Sequence, residues 1–180
     1  MTKNKKISKN KPKSNLPNYY KIAALLIIVI AAIYFIFISG GKSPDNTEEE
    51  YMFRKDGELT FLDSSGMVLT KIDIQIARNE YDRELGLMFR KSMNENQGML
   101  FIFPDERIRN FWMRNTEIPL DMIFINDSKT ILNIAKNTIP YSDTSYSSAG
   151  PARYVLEVNG GFTEKHKINR GVKVNWTLTH

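Results

Sequence analysis

TKIDIQIA, residues 70–77, alternates without a break: Ile72, Ile74 and Ile76 fall on one side of an extended chain, and Lys71, Asp73 and Gln75 on the other. Successive strand side chains point to opposite faces, so the stretch reads as a strand with one face in a core and one toward water. The same pattern recurs near the C-terminus in VKVNWTL, residues 172–178, where Val172, Val174, Trp176 and Leu178 alternate with Lys173, Asn175 and Thr177. ARYVLEV, residues 152–158, sets Tyr154, Leu156 and Val158 against Val155 and Glu157. Ile72, Ile74, Ile76, Leu156, Val174 and Trp176 are therefore predicted to be buried, and Lys71, Asp73, Gln75, Lys173 and Thr177 exposed.

Between these strands lie three apolar runs, MLFIF (99–103), MIFI (122–125) and TILNIA (130–135), which predict deeper burial. Asn126-Asp127-Ser128-Lys129 joins the last two as a hairpin turn. One helix interrupts the series. Asn79 can cap it, Glu80, Asp82 and Glu84 load its first turns, and Arg90 and Lys91 follow, as the helix dipole favours. Tyr81, Leu85 and Met88 recur at helical spacing and predict its buried face. A weaker helical turn is predicted from Thr163 to Ile168. About seven short strands and one or two short helices in roughly 120 residues predict a mainly β domain, α+β at the margin, built as an antiparallel sandwich or barrel.

The first 58 residues are of another kind. Residues 1–21 form a basic tail, and Ile22 to Ile38 is an uncharged apolar run. At about 1.5 Å per residue this run covers roughly 26 Å, near the short end for a spanning helix. The lysines ahead of it predict a cytoplasmic tail, with everything beyond the span on the far side. A cleaved signal peptide is the rival reading, since Ser39-Gly40-Gly41 offers small residues. Residues 39–58 are polar and aperiodic and read as a tether, leaving 59–180 as an exported β-rich domain. All 20 acids lie beyond residue 44, against 17 of the 25 bases. The high pI thus belongs to the tail, and no nucleic-acid face is expected. The chain has no cysteine, which removes disulfides, thiolate nucleophiles and cysteine-held metals.

Several separated blocks resemble the domain of unknown function 192 family. Gly86-Leu87-Met88 with Arg90, then Gly98-Met99-Leu100-Phe101 with Phe103, are similar to its first half. Phe111-Trp112-Met113, Asn115-Thr116, Pro119-Leu120-Asp121 and Phe124 resemble its most recognisable block, and Pro140, Val155-Leu156-Glu157 and Gly161 its second half. The resemblance covers about residues 60–178 and implies a jelly-roll type of β-sandwich, exported or membrane-anchored in many members. It implies no catalytic residue, because the family's activity is not established. One departure is the turn after residue 125, where Ser128 follows Asp127 in place of an Asp-Gly pair.

FWMRNTEIPLDMIF, residues 111–124, holds most of the candidate site. It places Trp112 beside Arg114, Asn115 and Thr116, and Asp121 at the mouth of a buried run. A carboxylate there must find donors, which Arg114, Asn115 and Thr116 could supply. That arrangement is either a network that locks a loop or the rim of a ligand site. Phe111 and one of Trp112 or Met113 are expected to anchor the stretch in the core. The loop from Pro140 to Pro151 is long and irregular, and its Tyr146 and Ser148 could present hydroxyls to a small polar ligand. Glu157 completes the ligand-binding set. Asp121 and Glu157 could also act as an acid–base pair on a carbohydrate, if the fold brings them to within about 5 to 9 Å.

There is no nucleophile elbow, and only two histidines. The methionines form no compact ligand motif, so neither a metal nor a cofactor is expected. The reading that results is a membrane-tethered domain that binds a ligand or an envelope protein without catalysis, with an envelope hydrolase as the alternative.

Overall fold

The computed structural model describes residues 17–39 and 51–179. Most of the predicted 1–21 tail and positions 40–50 of the tether lie outside the described residues. The chain divides into two compact units, Met1–Asn46 and Thr47–His180. In the first, α1 (Asn18–Ser39) is a helix of 22 residues, about 33 Å long. Its window Asn18–Phe35 has a mean hydropathy of 1.8 and none of it is buried. It is long and apolar enough to cross a membrane, a test that a signal sequence also passes.

The second unit is mainly β. Its strands are β1 (Gly57–Leu62), β2 (Val68–Ala77), β3 (Gln97–Arg107), β4 (Asn110–Phe111), β5 (Leu120–Ile125), β6 (Ile131–Ala135), β7 (Tyr146–Ser147), β8 (Ala152–Asn159) and β9 (Lys173–Leu178). Two short helices join them, α2 (Glu80–Leu85) and α3 (Phe162–Lys165). β1 begins at Gly57, inside the predicted tether. Seven strands form one sheet in the order β6-β5-β8-β3-β2-β1-β9, while β4 and β7 pair separately. The sheet is mixed: β2 and β3 run parallel, and every other neighbouring pair is antiparallel. A parallel pair needs a crossover. Residues 78–96 supply it, and α2 travels in that connection.

The two edges of the sheet meet at one end, giving it a barrel-like curl. Ile131 N donates to Val172 O (3.0 Å) and Val174 N to Lys129 O (2.9 Å), with an isolated bridge between Thr130 and Lys173. Inside the curl lies one core, including Phe61, Ile74, Leu100, Ile123 and Leu156, with Phe162 and Ile168 packed into it. The other face carries a second core, including Met99, Phe101, Met113, Met122 and Phe124. β5 and most of β8 are thus buried on both faces. Burying a large apolar side chain contributes about 1.5–3 kcal/mol, so these central strands hold the domain together.

Ile72, Ile74, Ile76, Leu156 and Val174 are buried as predicted, while Trp176 is half-buried. Lys71, Lys173 and Thr177 are exposed, but Asp73 and Gln75 are half-covered because the second core extends over their face. The 130–135 run is buried only at Ile131, since β6 lies at the sheet's edge. The expected helical face does not form either. α2 ends after six residues, leaving Tyr81 exposed and Leu85 and Met88 half-buried, and Leu87 in the following turn takes the core position.

Candidate functional site

The crossover between β2 and β3 has to pass over one face of the sheet, and its passage makes the site. Asn79 caps α2 by accepting from Asp82 N at 2.8 Å. Gly86 ends the helix with φ 51°, a backbone conformation that favours glycine. A Cβ there would stand 3.2 Å from the Phe101 ring, so glycine also lets the turn lie close on β3. The turn drops Leu87 and Arg90 into the second core. Phe89 N then donates to Asn115 O at 2.8 Å, tying this turn to the loop after β4.

Between α2, β3 and β4 lies a cavity of about 470 Å³, in the usual range for small-molecule sites. Phe101, Phe103, Phe111 and Trp112 wall it, and Arg83, Arg107 and Arg109 stand at its sides. Phe101 and Phe111 meet edge to face at 5.1 Å. The Arg109 guanidinium lies 3.9 Å above the Phe103 ring. It is held there by bonds from Nε to Ala152 O (3.1 Å) and from Nη2 to Asp105 Oδ1 (2.7 Å).

Glu157 lines this cavity and is only 5% exposed. By register it sits between Met99 of β3 and Met122 of β5, two thioethers that offer it no strong donor. Among the described residues its carboxyl has no hydrogen-bond partner. Burial pushes its pKa up to about 8, and the charge of Arg90 only partly opposes this. The group is therefore a neutral carboxylic acid at pH 7, with an O–H to donate.

The residues named from sequence are distributed unevenly around this cavity. Trp112, Thr116 and Glu157 line it. Met113 is buried and Trp112 half-exposed, so the adjacent pair splits between core and surface as expected. Arg114 lies outside the cavity. Its Nε pairs with Asp143 Oδ1 at 2.9 Å, and its guanidinium stands 4.4 Å over Trp112. Asn115 has φ 55° and directs Nδ2 at Met88 Sδ, 3.9 Å away. Tyr146 accepts from Ile139 N at 3.2 Å, and Ser148 accepts from Arg109 N at 2.9 Å; both fix the loop from 140 to 151.

Asp121 is the clear correction. It has no exposure, and none of Arg114, Asn115 or Thr116 reaches it. Its Oδ1 accepts from Asn137 N (2.8 Å) and Gly161 N (3.1 Å), and its Oδ2 from Thr163 N (2.9 Å) and Thr163 Oγ1 (2.6 Å). The expected acid pair also fails on geometry. Asp121 is opposite Val158, and Met122 is opposite Glu157. Directly opposed residues share a face, so the two carboxyls project from opposite faces of the sheet.

Phe103, Arg83, Arg90 and Arg109 were not singled out as site residues from sequence. Phe103 was within reach: in β3 it follows Met99 and Phe101 at a spacing of two, and so shares their face. The arginines carry no such local signal. Among the described residues no cluster of three or more His, Cys, Asp or Glu is placed to hold a metal, and Met99, Met113 and Met122 are packed in the second core.

Comparison with known proteins agrees with this fold. Residues 60–176 match the DUF192 model, described as "Uncharacterized ACR". A UPF0127 protein of Pyrococcus furiosus is 28% identical over 111 residues, covering 59% of this chain and 88% of that protein. A crystal structure from Sinorhizobium meliloti, described as a candidate transcription regulator, has a TM-score of 0.65 at 34% identity, covering 67% of this chain and 93% of that one. A protein of unknown function from Novosphingobium aromaticivorans gives a TM-score of 0.63 at 39% identity, covering 66% and 84%.

Proposed function

The chain belongs to the DUF192 family, and from that premise we propose that its β-rich body is a non-catalytic binding domain, tethered to a membrane by α1, whose ligand occupies the cavity over Glu157. One observation carries the reading. A carboxyl with no hydrogen-bond partner is kept at the bottom of an aromatic cavity, where an apolar side chain would pack at lower cost. An arrangement of this kind suits a small molecule with a flat, largely apolar body and one hydrogen-bond acceptor that receives the Glu157 proton. Hydrogen bonds that already hold Arg109 at the side of the cavity reduce the entropy lost on binding.

A thermal-unfolding screen of the full chain in detergent, read by the fluorescence of Trp112 and Trp176, tests the site. The library should include sugars, metal salts and ring compounds bearing a carbonyl. A ligand at 100 times its Kd stabilises the folded state by about 2.7 kcal/mol. Such a compound is expected to raise the melting temperature of the wild type, and to do so much less for Glu157→Met and Trp112→Ala. Equal stabilisation of all three proteins would place the ligand elsewhere and end this reading.

The tether is tested separately. The lysines ahead of α1 support a cytoplasmic N-terminus. Protease added outside spheroplasts is expected to digest the body, and a fully protected body would reverse the topology.

A further inference from the structure

Arg90 and Arg109 are the buried arginines among the described residues, at 5% and 8% exposure. Arg109 is accounted for by its bonds to Asp105 and Ala152 and by the Phe103 ring. Arg90 is not. Its Nη2 donates to Gln75 Oε1 at 2.7 Å, and its Nε has no partner. No carboxylate among the described residues forms an ion pair with it. Burial and the nearby charge of Arg54 both pull its pKa down, and the pull of Glu157 opposes them only in part. A guanidinium stays charged all the same. A buried charge without a counter-charge is costly, and exchanging it for an apolar side chain of similar volume is often stabilising.

Arg90 lines a second cavity, of about 450 Å³, on the other side of the Leu85–Gly86 turn from the cavity over Glu157. Phe53, Ile76, Leu85 and Met99 give it apolar walls. Its other charges are already satisfied. Arg54 holds Asp56 through two bonds of 2.7 and 2.9 Å, and Asp82 accepts from Asn79 Nδ2 at 2.9 Å. We propose that this cavity is a separate site for a small carboxylate with an apolar body, whose anion pairs with the donors of Arg90 that Gln75 leaves open. With Arg54 engaged by Asp56, the one guanidinium left open in this lining matches the single charge and planar oxygens of a carboxylate. A phosphate dianion would call for a second open cation, and the other guanidinium of the lining, Arg54, is held by Asp56.

The test uses the full chain in detergent, with thermal unfolding followed in sodium benzoate, acetate, phosphate or chloride at equal ionic strength. Benzoate is expected to raise the melting temperature more than acetate, and phosphate no more than chloride. Arg90→Met should be at least as stable as the wild type in chloride and bind benzoate about tenfold or more weaker. Phe53→Ala keeps the guanidinium and should weaken benzoate more than acetate. Trp112→Ala should leave the benzoate response intact, which separates this site from the one over Glu157. The proposal is overturned if Arg90→Met is destabilised in chloride, since the charge would then be structural. It is equally overturned if that variant keeps the benzoate response, if chloride acts as well as benzoate, or if phosphate stabilises most.

Discussion

Asp121→Asn is expected to remove about 3 to 5 kcal/mol of stability, although the side chain keeps its shape. The wild-type carboxylate accepts four hydrogen bonds from three places: Asn137 after β6, Gly161, and Thr163 in the first turn of α3. Hydrogen bonds to a charged group contribute about 1.5–3 kcal/mol each, and stranding a buried donor costs about 1–3 kcal/mol. An asparagine has one acceptor oxygen, so its amide nitrogen must face either the two donors on Oδ1 or the two on Oδ2. Either choice sets N–H against N–H inside the fold. For a domain whose total stability is about 5–15 kcal/mol, this is a large share. Urea unfolding followed by tryptophan fluorescence measures it. A loss under about 1 kcal/mol would show that Asp121 is not the joint described here. Asp121 projects from the face opposite Glu157, so ligand binding well below the transition should be little changed.

Glu157→Met should act in the opposite direction and depend on pH. The folded carboxyl titrates at about 8, against an ordinary value of 4.5. Below pH 4.5 it is protonated in both folded and unfolded chains and adds no pH dependence. Between 4.5 and 8 the unfolded chain releases a proton that the folded chain keeps, so stability falls by about 1.4 kcal/mol per pH unit from this group. Above 8 the penalty levels off. Arg90 is the charge that acts on this carboxyl, and Arg83, Glu80 and Glu84 of α2 with Arg107 at the end of β3 and Arg109 just beyond it surround the cavity. All of these remain in the variant, so the difference between the two pH profiles isolates Glu157. Methionine has similar volume and continues the row of Met99 and Met122. At pH 8.5 the variant is expected to exceed the wild type by roughly 5 kcal/mol, with the gap closing toward pH 5. Parallel profiles would mean that Glu157 is ionised and satisfied in the folded protein. A more stable variant that no longer binds ligand is the trade-off expected of a binding residue.

The strands, their inward faces, the Asn79 cap and the apolar span were legible in the sequence because each follows from local periodicity or a single side-chain bond. Val155 and Glu157 alternate with the inward residues of β8 and lie on its other face, yet both are buried. The reason is the parallel pairing of β2 and β3, which forces residues 78–96 across that face and covers it with Leu87 and Arg90. No local pattern announces which two strands will run parallel.

The contrast is sharpest at the two carboxyls. From the sequence alone, Asp121 and Glu157 were acids beside apolar runs, and either could serve a network, a ligand or a reaction. Chain pattern determined that both lie in strands and hence near a core. Register decided the rest, because a shift of one residue moves a side chain to the other face. Asp121 points into the curl, where the backbone of the α3 turn satisfies it. Glu157 points outward beneath the crossover, where aromatic rings and thioethers offer it no strong donor. A carboxyl's role depends on the donors brought to it, and those donors come from segments far away in the chain.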